Sequence, residues 1–195
     1  MIVVVVLCTF NLVAVAADSA APGTSTPVKR VVVWDGEQAT RGSGWVNPKT
    51  CSIGSQTVEA HSGRTAVEFK FKGGADGWMG AGWNWCAFQT GAFGTDITGF
   101  KSFGFWMKTR GTVADVQLNL LCNGEKFDMP EHRTEKVSAL TYCPPLLDGR
   151  WHKVIIPLTD LKQPRGFDPL HVGELQIFNA GEGDGSFFID DIAFE

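Results

Sequence analysis

Two adjacent carboxylates stand inside the apolar stretch that closes the chain, Gly185-Ser186-Phe187-Phe188-Ile189-Asp190-Asp191-Ile192-Ala193-Phe194. Strand side chains alternate between faces. Phe188, Asp190, Ile192 and Phe194 are therefore expected on one face, with Ile189, Asp191 and Ala193 on the other. One acid then points the same way as three large apolar groups. A carboxylate in such company is costly unless it is paired or holds a metal. A structural cation at the end of a β-sandwich satisfies the pattern; a frayed terminal strand whose Asp reaches water is the simpler alternative.

At the other end, Ile2 to Val15 is apolar except for Thr9 and Asn11, and Ala14-Val15-Ala16 precedes Ala17. The run is short for a membrane span and reads as a secretory signal peptide over residues 1–17. Residues 18–27, rich in Ala, Ser, Thr and Pro, read as a flexible linker. Residues 28–195 suit a single domain. The expected location is secreted or periplasmic, with no membrane contact after signal cleavage.

Net charge is −4 and no basic cluster is present, which argues against nucleic acid as a partner. Only 19% of residues are charged, against 23 Gly and 7 Trp, a mixture that suits a β-protein turned by glycine. Short alternating runs predict strands at Val31–Asp35, Thr57–Ala60, Thr65–Lys72, Gly80–Phe88, Ser102–Thr109, Ala114–Leu121, Glu135–Ala139, Trp151–Pro157, Glu174–Phe178 and Ser186–Phe194. No segment has a convincing helical period. The predicted fold is all-β: a sandwich of two antiparallel sheets of jelly-roll, galactose-binding-like form. Cys51, Cys86, Cys122 and Cys143 remain after the signal. They allow three disulfide connectivities. Cys122–Cys143 with Cys51–Cys86 is preferred because the first would close the segment around Glu131.

Strand faces suggest a sugar surface. Val116, Leu118 and Leu120 form an apolar row, leaving Gln117 and Asn119 outward. Phe103, Phe105 and Met107 form another such row, leaving Trp106 outward, beside Gln117 and Asn119 if these strands are neighbours. Pyranose rings stack on aromatics and their hydroxyls need hydrogen bonds. A satisfied, solvent-facing sheet is the plainer reading. In Gly77-Trp78-Met79-Gly80-Ala81-Gly82-Trp83-Asn84-Trp85, Trp83 and Trp85 share one face. They form either a stacking platform with Trp78 or part of the core. Trp34, Trp45 and Trp151 read as packing residues.

Four segments, in order, resemble a carbohydrate-binding module of the galactose-binding-like β-sandwich type. They are Trp34-Asp35-Gly36-Glu37 with Gly44-Trp45; Glu59-Ala60-His61-Ser62-Gly63-Arg64-Thr65-Ala66-Val67; Asp148-Gly149-Arg150-Trp151-His152-Lys153-Val154-Ile155-Ile156-Pro157-Leu158; and Phe188-Ile189-Asp190-Asp191-Ile192. The opening acids lack the aromatic often found between them. The resemblance implies binding of a polysaccharide or oligosaccharide without catalysis. It also implies a structural calcium held by Glu37, Glu59 and Asp190 side chains and the Ser62 carbonyl, oxygen ligands of the kind calcium favours. Such modules usually accompany a catalytic domain, and the chain has no room for a second large one, so a catalytic partner protein is a possible companion. The competing function classes are a small jelly-roll lyase or glycoside hydrolase, using groups among Asp128, Glu131, His132, Arg133 and Tyr142, and a structural protein-interaction domain.

Overall fold

The computed structural model describes residues 29–37, 43–56, 59–73, 79–86, 94–122, 130–179 and 183–195. The expected signal peptide and linker, Trp78 and Asp128 lie outside these described residues. The strands are β1 (Val31–Trp34), β2 (Ser43–Val46), β3 (Cys51–Gln56), β4 (Ala66–Phe71), β5 (Met79–Asn84), β6 (Ser102–Gly111), β7 (Val116–Cys122), β8 (Val137–Ser138), β9 (His152–Pro157), β10 (Val172–Asn179) and β11 (Gly185–Phe194). Among the described residues one short α-helix, α1 (Ala139–Tyr142), follows β8 and is capped by the Ser138 hydroxyl, which accepts from Leu140 N. The predicted Glu135–Ala139 strand is thus cut to two residues, because the Ser138 cap turns the chain into α1. β2 and β3 escaped the sequence reading. They carry Gly, Ser and Gln in place of a β-branched run.

The strands form two antiparallel sheets. The first has the order β3-β4-β11-β6-β9, with β1 added against β11; the second has the order β2-β5-β10-β7-β8. Phe103, Phe105 and Met107 of β6 and Leu118 and Leu120 of β7 are fully buried between them. The alternation in both strands therefore gave their core faces correctly. β6 and β7 lie in different sheets, however. Trp106 faces out from the first sheet and Gln117 and Asn119 from the second, so the shared surface expected of them is not formed.

The closing strand departs from simple alternation. Phe187 and Ile189 belong to the core, and so do Ile192 and Phe194. The phase changes at a bulge: β11 pairs with β6 through Asp190↔Trp106 and resumes at Ala193↔Gly104. Asp191 has φ 52°, a left-handed value uncommon for a side-chain-bearing residue. It is the extra residue that returns Ile192 and Phe194 to the interior. Asp190 does not share their face, as strict alternation required. It points out of the sandwich with Phe188, yet is fully buried.

The four described cysteines are all thiols. The Cys51–Cys86 pairing is not formed: Cys51 packs beside Met79 at the start of β5, whereas Cys86 follows that strand's end. Nor is Cys122–Cys143. Cys122 Sγ instead donates to the His132 carbonyl at 3.3 Å and accepts from Asp168 N at 3.3 Å.

The bulge makes a prediction. Asp191→Val puts a β-branched side chain at this left-handed φ and should be about 1–2 kcal/mol less stable than Asp191→Gly. Asp191→Gly keeps the residue count and the left-handed geometry, and should fold cooperatively. Urea unfolding followed by far- and near-UV circular dichroism checks both.

Candidate functional site

β4 and β1 lie along the same edge of β11. β4 pairs with its first half, Gly185 to Ile189, and β1 with its last part, Ile192 to Phe194. The bulge sits where one neighbour hands over to the other. The chain leaving β1 at Gly36-Glu37 and the loop entering β4, residues 59–65, converge there. Asp190 Oδ2 accepts from His61 N at 3.0 Å and Ser62 N at 3.1 Å, and Oδ1 accepts from Asp191 N at 2.9 Å. Gly36 has φ +81°, and a Cβ there would stand 2.9 Å from Asp190 Oδ1 and collide with the Thr65 carbonyl. Glycine is thus required by conformation and by space.

The acids expected to share a cation are unequally placed. Glu37 reaches the same loop: its Oε1 accepts from the backbone N–H of Arg64 and, at 2.9 Å, of Thr65. These donors lower its pKa. Glu59 faces elsewhere. Lys108 donates to it at 2.6 Å, Arg110 pairs with its other oxygen, and both hold its pKa down. The serine contributes its N–H and hydroxyl to Asp190 and Asp191; Ser62 Oγ donates to Asp191 Oδ1 at 3.0 Å. His61, read as an ordinary loop residue, is a member of the cluster. Its Nδ1 lies 3.0 Å from Asp191 Oδ2, and its ring stacks on Trp106 at 3.7 Å. Trp151, expected in the core, is half-buried outside it, with its ring edge-on to His61 at 5.7 Å.

The outer face of the second sheet carries a different set of groups. Register aligns Trp45, Gly82, Gln176 and Asn119 in one row across β2, β5, β10 and β7. Gly80, Phe178 and Gln117 form the next row, and Asn84 pairs with Glu174 on the other side. Strands lie about 4.8 Å apart. An indole on β2 reaches β10 only if β5 presents nothing in between. Gly82 supplies that gap: a Cβ there would meet Trp45 Cε2 at 2.6 Å. Trp45 Nε1 accordingly crosses β5 and donates to Glu174 Oε1 at 2.7 Å. Glu174 Oε1 also accepts from Gln176 Nε2 at 3.0 Å, and Oε2 from Asn84 Nδ2 at 3.2 Å. Asn119 Nδ2 donates to Gln176 Oε1 at 3.2 Å. Lys136 Nζ stands 3.5 Å over the Phe178 ring.

Trp45 is therefore a surface group, not the packing residue expected. Trp83 and Trp85 exchange places with it. Trp83 packs inward on Trp34, ring centroids 5.3 Å apart, and Trp85 packs on Phe194 at 6.2 Å while donating to Thr95 Oγ1 at 3.2 Å. Odd-numbered positions of β5 point to the core, so neither indole belongs to a stacking surface. The signal for Trp45 was present in Gly80-Ala81-Gly82, whose glycines clear the face opposite Trp83. Among the proposed catalytic groups, the Tyr142 hydroxyl donates to Asp160 Oδ2 at 3.0 Å, and burial raises its pKa. Both features disfavour it as a base.

An outer sheet face built from an indole, an aromatic ring and amides suits a sugar, and the family comparison agrees. A family model described as carbohydrate binding domain 30 matches residues 28–195. The chain belongs to this family. This carbohydrate-binding domain resembles a solved family 30 carbohydrate-binding module, with a TM-score of 0.66 and 16% identity over 86% of this chain and 99% of that one. It also resembles the family 30 module of the cellulosomal cellulase Cel9D-Cel44B of Clostridium thermocellum (TM-score 0.65, 16% identity, 86% and 98% covered). A family 11 module from Clostridium thermocellum, in complex with a β-1,3-1,4-mixed-linked tetrasaccharide, matches with TM-score 0.61 and 15% identity over 87% of this chain and 96% of that one. A search of curated proteins finds no match. The β-sandwich expected from the sequence is thus the fold of this carbohydrate-binding domain.

The buried acid gives the domain a pH signature. Burial, aided by the Asp191 charge, pushes the Asp190 pKa from 3.8 up to about 6. Between about pH 4 and 6 the native state keeps a proton that the unfolded chain has released. Without bound metal, this group's contribution to stability therefore falls as pH rises through that window, by about 2–3 kcal/mol in all. Carboxylates with lowered pKa act in the opposite direction, so the difference between wild type and Asp190→Asn isolates the effect. Urea unfolding in chelator at pH 4, 5, 6 and 7 should show that difference change with this sign.

Proposed function

We propose that this domain binds a β-linked polysaccharide across the outer face of its second sheet. Trp45 is the stacking surface, Phe178 and Gln117 extend the face, and the buried amides of Asn119 and Gln176 lie beneath it. The observation that carries the reading is the Trp45 indole laid over Gly82 and tied by its N–H to Glu174. A ring immobilised before the ligand arrives loses little conformational freedom on binding. The opposite outer face is less suited, because His61 already occupies one face of the Trp106 indole. A β-linked glucose unit matches an indole: its hydroxyls lie around the ring edge and leave flat apolar faces for stacking. The family 11 relative with its mixed-linked tetrasaccharide and the family 30 relative from a cellulase support this choice of ligand. Residues 1–17 support export as the setting, consistent with an extracellular glycan.

The test is affinity electrophoresis and calorimetry with soluble mixed-linkage β-glucan. Trp45→Ala should weaken binding at least tenfold, from a stacking contribution of about 1–1.5 kcal/mol plus lost apolar contact. Its melting temperature should move little. Trp85→Ala should instead destabilise the fold by about 3–5 kcal/mol. Unchanged glucan affinity in a folded Trp45→Ala protein overturns the choice of face.

A structural calcium is part of the same proposal, with a narrower ligand set than the resemblance implied. Glu37 and Asp190 fit, since both carboxylates meet residues 61–65 and Asp190 is buried with a raised pKa. Glu59 does not fit, because Lys108 and Arg110 hold it. The ion would supply positive charge that holds the β1 end, the loop and the bulge together. A ligand present at 100 times its Kd stabilises by about 2.7 kcal/mol. Calcium should raise the melting temperature above its value in chelator, and Asp190→Asn should remove that increase. Identical melting curves for wild type with and without calcium reject the ion.

A further inference from the structure

The outer face of the second sheet ends in an ammonium group. β8 pairs with β7 through Leu118↔Val137 and Gln117↔Ser138, which sets Lys136 beside Asn119. Lys136 therefore closes the row that Trp45 opens across β2, β5, β10 and β7. Four strand spacings of about 4.8 Å put the backbones of the two ends about 19 Å apart. Gln176 and Asn119 lie buried between them and form a floor. Lys136 is exposed, and its Nζ stands 3.5 Å over the half-buried Phe178 ring. The negative face of an aromatic ring holds a cation in this position. A ligand arriving here meets the ammonium before it meets the ring. The electrostatic setting of this lysine also differs from that of its counterparts. Lys70, Lys108, Lys153 and Lys162 each pair with a glutamate. Lys136 pairs with no carboxylate among the described residues. Burial, and then the charge of Arg133, lower its pKa. A cation that is partly desolvated and repelled by a like charge gains from an anion.

We propose that Lys136, held over Phe178, makes the β8 end of this face a subsite for a carboxylated sugar, so that the domain prefers a β-glucan bearing uronate groups to the neutral polymer. The inference rests on the binding reading above and adds a substrate class to it. A neutral hydroxyl can accept a hydrogen bond from the ammonium. A carboxylate accepts a shorter and stronger one and also brings the opposite charge. The net charge of −4 works against any polyanion, so the preference has to be made locally. Lys136 stands where a chain laid across the strands from Trp45 arrives.

The experiment measures binding of two probes by calorimetry: soluble mixed-linkage β-glucan, and the same glucan with part of its primary hydroxyls oxidised to carboxylates. Wild type, Lys136→Gln, Lys136→Glu, Lys70→Gln and Trp45→Ala are compared. Wild type should bind the oxidised glucan about three- to fivefold more tightly, the scale of one exposed ion pair. That advantage should shrink at high salt. Lys136→Gln should lose it while binding neutral glucan as wild type does, and Lys136→Glu should prefer the neutral polymer. Lys70→Gln removes the same charge from the other sheet and should keep the wild-type preference. Equal or weaker binding of oxidised glucan by wild type overturns the inference. So does a preference that survives in Lys136→Gln or disappears in Lys70→Gln. Tighter binding of neutral glucan by Lys136→Gln also overturns it, because the lysine is then a cover over Phe178. Trp45→Ala separates the two levels. Full binding of neutral glucan there refutes the choice of face. Lost binding there, with no carboxylate preference in wild type, refutes only the role of Lys136.

Discussion

A buried carboxylate beside a left-handed residue organises the closing edge of the first sheet. β11 has to serve two neighbours on one side, β4 and then β1, and the bulge at Asp190-Asp191 marks the change between them. The extra residue restores the apolar phase for Ile192 and Phe194. Asp190, in phase with Phe188, faces outward beneath the loop that precedes β4. There the acid binds the N–H groups of His61 and Ser62, so the loop is fastened by backbone donors. Burial raises the energy of the charged form and the N–H groups lower it; the raised pKa shows that burial wins. The cation proposed above would reverse that balance by favouring the charged form.

The second sheet is built on the opposite economy of space. Its interior face is filled by Leu118, Leu120, Leu175 and Ile177, and its outer face is opened by Gly80 and Gly82. The missing side chains let the Trp45 indole cross a whole strand. Glu174, almost wholly buried on a face that looks outward, then holds the ring and its amide neighbours. The bulge and the proposed binding face lie on different sheets, so the proposed cation would act on the stability of the sandwich without touching a sugar.

Much of this was legible in the chain. Period-two alternation placed Phe103, Phe105 and Met107 of β6 and Leu118 and Leu120 of β7 in the core, and it turned Gln117 and Asn119 outward. The same rule failed at Asp190, because a bulge inserts one residue without changing composition. It was silent on Trp83 and Trp85, whose strand has glycine on one face and indoles on the other; an aromatic row reads equally as core or platform. Trp45 was misjudged because its short strand has no apolar pattern, and the partner that fixes it stands 129 residues away. The acids were found by type, but Glu59 belongs to Lys108 and Arg110, an attachment that only the register of neighbouring strands creates.

The sequence by itself determined a two-sheet β-sandwich, the faces of its regular strands and the presence of acids that must be compensated. These follow from local alternation and from the cost of burying charge, which need no knowledge of distant partners. The tertiary structure decided which strands share a sheet. It therefore decided that Trp106 lies away from Gln117 and Asn119, that Trp45 and not Trp83 looks outward, and which acids meet at the bulge. Those outcomes depend on strand order and register, set by the packing of the whole sandwich and carried by no single segment.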